Sequence, residues 1–231
     1  MILLIDNKSF INSSNLKKLA CYTAGLLLIA VGINVSKAGG LGISPASSVP
    51  YALETIWGIE LGQATRIVNV FLIALQIVLL RKRYKMIQLL QFLTIFVLSV
   101  FITYTSRNYP LLSWLPNPAN YAAALAYTIF SSIVIGVGVS LYLIPKWIPM
   151  PPEGLAVTLT QLGQGKMPIH NAKNCVDISL VIIAIALSLA MQGKVSAVRE
   201  GTVIIALLVG RFVGIGNKIY KEKILNWIDE K

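Results

Sequence analysis

The chain has 231 residues, 56% of them hydrophobic, with a mean hydropathy of +0.73 and a formal charge of +11. Repeated long apolar runs exclude a soluble enzyme or nucleic-acid binder, and the basic excess reads as the flanks of membrane spans that fix topology. Cys21 and Cys175 are too few for a disulfide framework and stand in no metal-ligand spacing.

The start, MILLIDNKSF, carries an acid, only a very short apolar run and no small-residue cleavage site. The first span, about residues 19–35, is therefore expected to act as its own insertion signal. The next stretch, GINVSKAGGLGISPASSVPYALETIW at residues 32–57, interrupts the apolar pattern. Its glycines permit turns that other residues resist, and Ser44-Pro45 reads as a helix start. The helix predicted from there is about 13 residues and 20 Å long, too short for a bilayer core of about 30 Å.

A second span, about residues 64–80, stops at Arg81-Lys82-Arg83-Tyr84-Lys85, and a third covers about 87–104. The loop 105–120 holds Arg107, Pro110, Trp114, Pro116 and Pro118; its prolines mark turns and its tryptophan suits a membrane boundary. A fourth span is predicted at about 121–144. A second short helix follows at Met150-Pro151-Pro152, then a polar loop at 164–173. The fifth span is about 174–191, the sixth about 201–215, and the tail from 217 is charged. With six spans and a cytoplasmic N-terminus, fourteen Lys and Arg residues, from Lys8 to Lys231, lie inside and five outside. The positive-inside rule therefore predicts both termini in the cytoplasm.

The chain also repeats itself. Residues 32–45 and 138–151 share an offset of 106, with Ile33/Val139, Asn34/Ser140, Val49/Leu155 and Leu53/Leu159 alike in type. Beyond the short helices the offset becomes 108, matching Ala64/Ala172, Val68/Val176, Asn69/Asp177, Thr94/Thr202 and Val97/Ile205. Each copy, about 19–105 and 121–216, holds three spans, an odd number. The second copy must start from the opposite side, so the expected fold is all-α and integral to the membrane. It has six transmembrane helices plus two short re-entrant or broken helices, as 3+3 inverted repeats in one membrane domain.

The short helices allow two readings. As re-entrant elements, their starts face the midplane from opposite sides, and their free N–H groups favour an anion or a carboxylate. As interfacial helices, water caps them. Glu153 falls in a first turn, where a negative charge suits the helix dipole. Inside the spans, Asp177 and Arg211 lie at similar depth and are expected to form an intramembrane ion pair. The alternative is Arg211 reaching the interface and Asp177 half in water. The lone His170 falls in a polar loop, and no nucleotide-binding loop or catalytic triad is present.

The runs GINVSKAGGLGISP, MPPEGLAVTLTQ and above all VREGTVIIALLVGRFVG resemble the YczE/YitT-type family of bacterial integral membrane proteins, over most of residues 19–216. That resemblance implies a multi-span protein of the bacterial plasma membrane and no settled activity. Arg211 departs from the uncharged residue common there in that family.

The expected function is transport of a small polar or anionic solute by alternating access. The substrate site would be lined by Asn34, Ser44, Ser47, Ser48, Asn69, Ser140, Pro151 and Asp177, with no catalytic residue, metal or cofactor. The other class considered is a non-transporting membrane protein that assists assembly or secretion by another complex; its centre would be closed, dry and apolar. A homo-oligomer or a larger membrane complex fits either reading.

Overall fold

The long apolar runs all form helix, because in hydrocarbon a helix satisfies its own backbone polar groups. The computed structural model describes residues 13–106, 112, 115–164 and 166–229. Lys8, Arg107, Pro110, Trp114 and Lys231 lie outside the described residues. The helices are α1 (Ser13–Gly39), α2 (Ser48–Trp57), α3 (Leu61–Leu80), α4 (Gln91–Tyr104), α5 (Tyr121–Leu143), α6 (Pro151–Leu162), α7 (Ile169–Gln192) and α8 (Glu200–Asp229). Six of the helical segments are long and apolar enough to cross a membrane. Large apolar side chains such as Phe71, Leu93, Ile182 and Leu207 point outward, as lipid-facing residues do.

Three boundaries differ from expectation. α1 begins six residues ahead of the apolar run, at Ser13. α7 begins at Ile169 and absorbs His170 and Lys173, both expected in a loop. α8 continues through the charged tail to Asp229. Hydropathy marks only the part of a helix that lies in lipid, whereas the backbone hydrogen bonds continue into water.

The eight helices sort into two groups. Leu26, Ile29 and Ile33 of α1 pack with Leu98 and Ile102 of α4, Ile135 and Tyr142 of α5, and Ile205 of α8. Val49 and Ala52 of α2 pack with Val68 and Leu72 of α3, Leu155 and Ala156 of α6, and Val176 and Leu180 of α7. The short helices α2 and α6 are therefore inside the bundle, each packed on both α3 and α7.

Small residues set the closest approaches, as expected where lipid offers no hydrophobic drive for helices to meet. A Cβ on Gly138 would stand 2.8 Å from Gly25 O and 2.9 Å from Ile29 N, so α1 and α5 touch backbone to backbone. The loop after α1 is held the same way. Gly201 donates its N–H to Leu41 O at 2.8 Å, and a Cβ on Gly42 would meet Thr202 Oγ1 at 2.5 Å. Gly42 also has φ +97°, which glycine alone adopts without strain. The glycine-rich loop and the Arg-Glu-Gly-Thr run thus specify each other.

One polar clamp anchors α6. Gln76 of α3 and Gln91 of α4, both fully buried, exchange two amide hydrogen bonds of 3.2 Å, and Gln76 Nε2 also donates to Pro151 O at 3.2 Å. Gly154 makes room for them: its Cβ would lie 2.7 Å from Gln76 Oε1.

Candidate functional site

A cavity of about 300 Å³ lies between the two helix groups and takes residues from every helix except α2. One wall is apolar, with Ile29, Ile33, Leu98, Ile135 and Ile205. The other is polar. It carries Ser44 and Ser47 from the turn leading into α2, Thr65 and Asn69 from α3, Glu153 from α6, and Lys173, Asn174 and Asp177 from α7. Among the lining residues only Asn174, Ala206 and Gly210 are exposed, so the mouth lies between α7 and α8. Those two helices are not packed along each other, whereas α3 and α4 are. The α3–α4 contact is close: Ser99 Oγ donates to Gly62 O at 2.7 Å, and Thr103 lies against Gly62.

Among the described lining residues, charge is confined to Glu153, Lys173 and Asp177. Lys173 Nζ lies 2.5 Å from Asp177 Oδ1, one turn along the same helix, and 3.7 Å from Glu153 Oε1. The other Glu153 oxygen, Oε2, is buried without a hydrogen-bond partner. With both carboxylates ionised and Lys173 protonated, these residues give the cavity a net negative charge. The neutral groups are partly engaged: Ser44 Oγ donates to Ser47 Oγ, Thr65 to Leu61 O, and Asn69 Nδ2 to Thr65 O. The Ser47 hydroxyl hydrogen and Asn69 Oδ1 enter none of these bonds and can meet a solute.

Ser44, Ser47, Asn69 and Asp177 are thus brought together. Asn34, Ser48, Ser140 and Pro151 do not line the cavity and hold helices in place. Asn34 Nδ2 donates to Ile102 O and Thr105 Oγ1, Ser48 Oγ to Pro45 O, and Ser140 Oγ to Asn217 Oδ1; Pro151 belongs to the glutamine clamp. Asn34, Ser140 and Pro151 bond to neighbouring helices, which spacing along one helix does not reveal, and Ser48 caps the turn that leads into its own helix.

The ion pair expected between Asp177 and Arg211 does not form. Asp177 takes Lys173, and Arg211 is exposed on α8 without an ion pair among the described residues. Pairing would need α7 and α8 in contact, and a four-residue spacing satisfies Asp177 locally instead. Asp177→Asn and Arg211→Gln are accordingly expected to change thermal stability in detergent additively, within about 0.5 kcal/mol. A coupling of about 1 kcal/mol or more would show that the two do meet. Lys173, Glu153, Thr65 and Asn174 are functional candidates that the sequence reading missed. The Lys173/Asp177 spacing was the available signal, hidden by placing Lys173 in a loop.

These features define an all-helical multi-pass membrane protein with a central, partly charged cavity. The chain belongs to a family of unknown function, DUF6198, whose model matches residues 16–218. No curated protein and no solved structure matches it.

Proposed function

We propose that this protein transports a small polar solute across a bacterial plasma membrane, by alternating access between two inverted repeats, with both termini cytoplasmic. The observation that carries the reading is how the cavity is lined. With the offsets of 106 and 108 taken from sequence alone, most of its lining residues fall into counterpart pairs with both members present; Pro45, Asn174, Ile205, Val209, Gly210 and Val213 do not. The pairs are Ile29/Ile135, Ile33/Val139, Ser44/Met150, Ala46/Pro152, Ser47/Glu153, Thr65/Lys173, Asn69/Asp177 and Leu98/Ala206. The α1–α5 crossing follows the same rule. Gly32 lies against Ser131 and Ile135, and its counterpart Gly138 lies against Gly25 and Ile29, the counterparts of those two residues. A cavity on a pseudo-twofold axis between repeats is where such transporters bind their cargo.

The helix packing supports a mechanism. α3 is closed on α4, and the counterpart pair α7 and α8 stands apart at the mouth. Exchanging the two arrangements would close one entrance and open the other. A cavity with charged residues also speaks against the assembly-factor reading, which calls for a dry apolar centre. Placing the family beside the YczE/YitT-type proteins agrees with this membrane role.

The test uses Ser47→Cys, a near-isosteric change in the cavity, in a protein lacking Cys21 and Cys175. A membrane-impermeant maleimide should modify it from the cytoplasmic face of inverted vesicles and, more slowly, from the outer face of right-side-out vesicles. Modification from one face only would sink alternating access.

A further inference from the structure

We infer that the cavity binds a positively charged ammonium group, so that its solute is a small amine or an amine-bearing zwitterion rather than a simple anion. The inference rests on the transport reading only for what the binding accomplishes; the binding itself is argued from the cavity.

Charge balance is the first ground. Glu153 and Asp177 face one Lys173, and the two carboxylates share that single ammonium unequally, at 3.7 and 2.5 Å. The remaining wall, Ser44, Ser47, Thr65 and Asn69, is neutral. An anion entering would meet a site that is already net negative, and like charges at contact distance repel strongly where water is scarce. One added positive charge makes the site neutral.

The second ground is an unmet hydrogen-bond requirement. Glu153 Oε2 is buried with no partner. Beside it stands the hydroxyl of Tyr142, a residue only 1% exposed; the two are near enough for a weak hydrogen bond to each other, and neither makes a well-formed one. Buried polar groups are rarely left so, and each exception calls for an explanation. An ammonium carries three donors and no acceptor, and the lining residues Glu153, Asp177 and Asn69 all offer acceptor oxygens. The third ground is the helix start. A free start of α6 would favour an anion, but Glu153 occupies its first turn and already meets the positive end of that helix.

The asymmetry has a role in transport. Ser47, Thr65 and Asn69 are the neutral counterparts of Glu153, Lys173 and Asp177. A cation is thus held from one side of the pseudo-axis and released past neutral groups on the other.

The experiment measures thermal unfolding of the purified full chain in detergent, at constant ionic strength, against a potassium chloride baseline. Methylammonium chloride changes only the cation, potassium acetate only the anion, and sodium chloride tests a bare inorganic cation; glycine tests the zwitterion. Methylammonium or glycine should raise the melting temperature saturably by a few degrees. Glu153→Gln should weaken the half-saturating concentration at least about tenfold, as loss of one charge-assisted hydrogen bond requires, and Glu153→Asp should restore part of it. If the Gln variant does not fold, the four-solute comparison on the unmodified protein decides alone. A shift with acetate but not with methylammonium or glycine overturns the inference, as does an equal shift with sodium, or no shift with any solute. Ammonium binding together with one-sided labelling of Ser47→Cys would remove transport and keep this site. Two-sided labelling together with acetate binding would do the reverse.

Discussion

Lys173→Met is expected to destabilise the protein by about 2–3 kcal/mol. Lys173 is the single cation between Glu153 and Asp177, and its removal leaves two carboxylates facing each other in one cavity. Stranding a fully buried charge costs about 3–5 kcal/mol, and the figure here is lower because these side chains keep about a quarter of their surface exposed. Adding Glu153→Gln should recover most of the loss, since one carboxylate alone can be solvated through the mouth between α7 and α8. Thermal unfolding of the single and double variants in detergent measures this. If Lys173→Met melts like the unmodified protein, or if the second change adds its own separate loss, the three groups do not act as a unit.

Gly138→Ile is expected to have the larger effect, loss of the folded, monodisperse protein. The Cβ alone would lie 2.8 Å from Gly25 O and 2.9 Å from Ile29 N, and three more carbons have no space. Overpacking by side chains costs typically about 1–3 kcal/mol; here two backbones must separate, so the cost exceeds that range. Gly214→Ala serves as the control. No atom lies within 4 Å of a Cβ built there, and the better helix propensity of alanine should leave stability unchanged or slightly raised. Size-exclusion profiles and melting temperatures of the two variants give the comparison. A well-folded Gly138→Ile protein would mean that α1 and α5 do not cross at Gly25 and Gly138.

The sequence by itself determined the class of fold. Span count, the two short helices at Ser44-Pro45 and Pro151, and the paired positions between the two halves all follow from hydropathy, proline and glycine placement, and spacing. These are local properties, written within one helix or at a fixed offset along the chain. Four of the proposed lining residues, Ser44, Ser47, Asn69 and Asp177, were legible for that reason. Ser44 and Ser47 stand at a proline-marked helix start, and Asn69 and Asp177 are polar positions inside apolar spans.

Only the tertiary structure decided which polar residues face the cavity and which fasten helices. Asn34 and Ser140 sit at matched positions and look alike in sequence, yet each spends its side chain on a neighbouring helix, at Ile102 and Asn217. Glu153 and Lys173 looked like a dipole charge and a loop charge. They became a site because α6 packs against α7 and because α7 begins four residues before Lys173. The distance between two elements depends on which small residues meet across it, as between helices at Gly25 and Gly138 or between loop and helix at Gly42 and Thr202. Hydropathy is blind to such meetings, because it is summed along one chain segment while packing is decided between two.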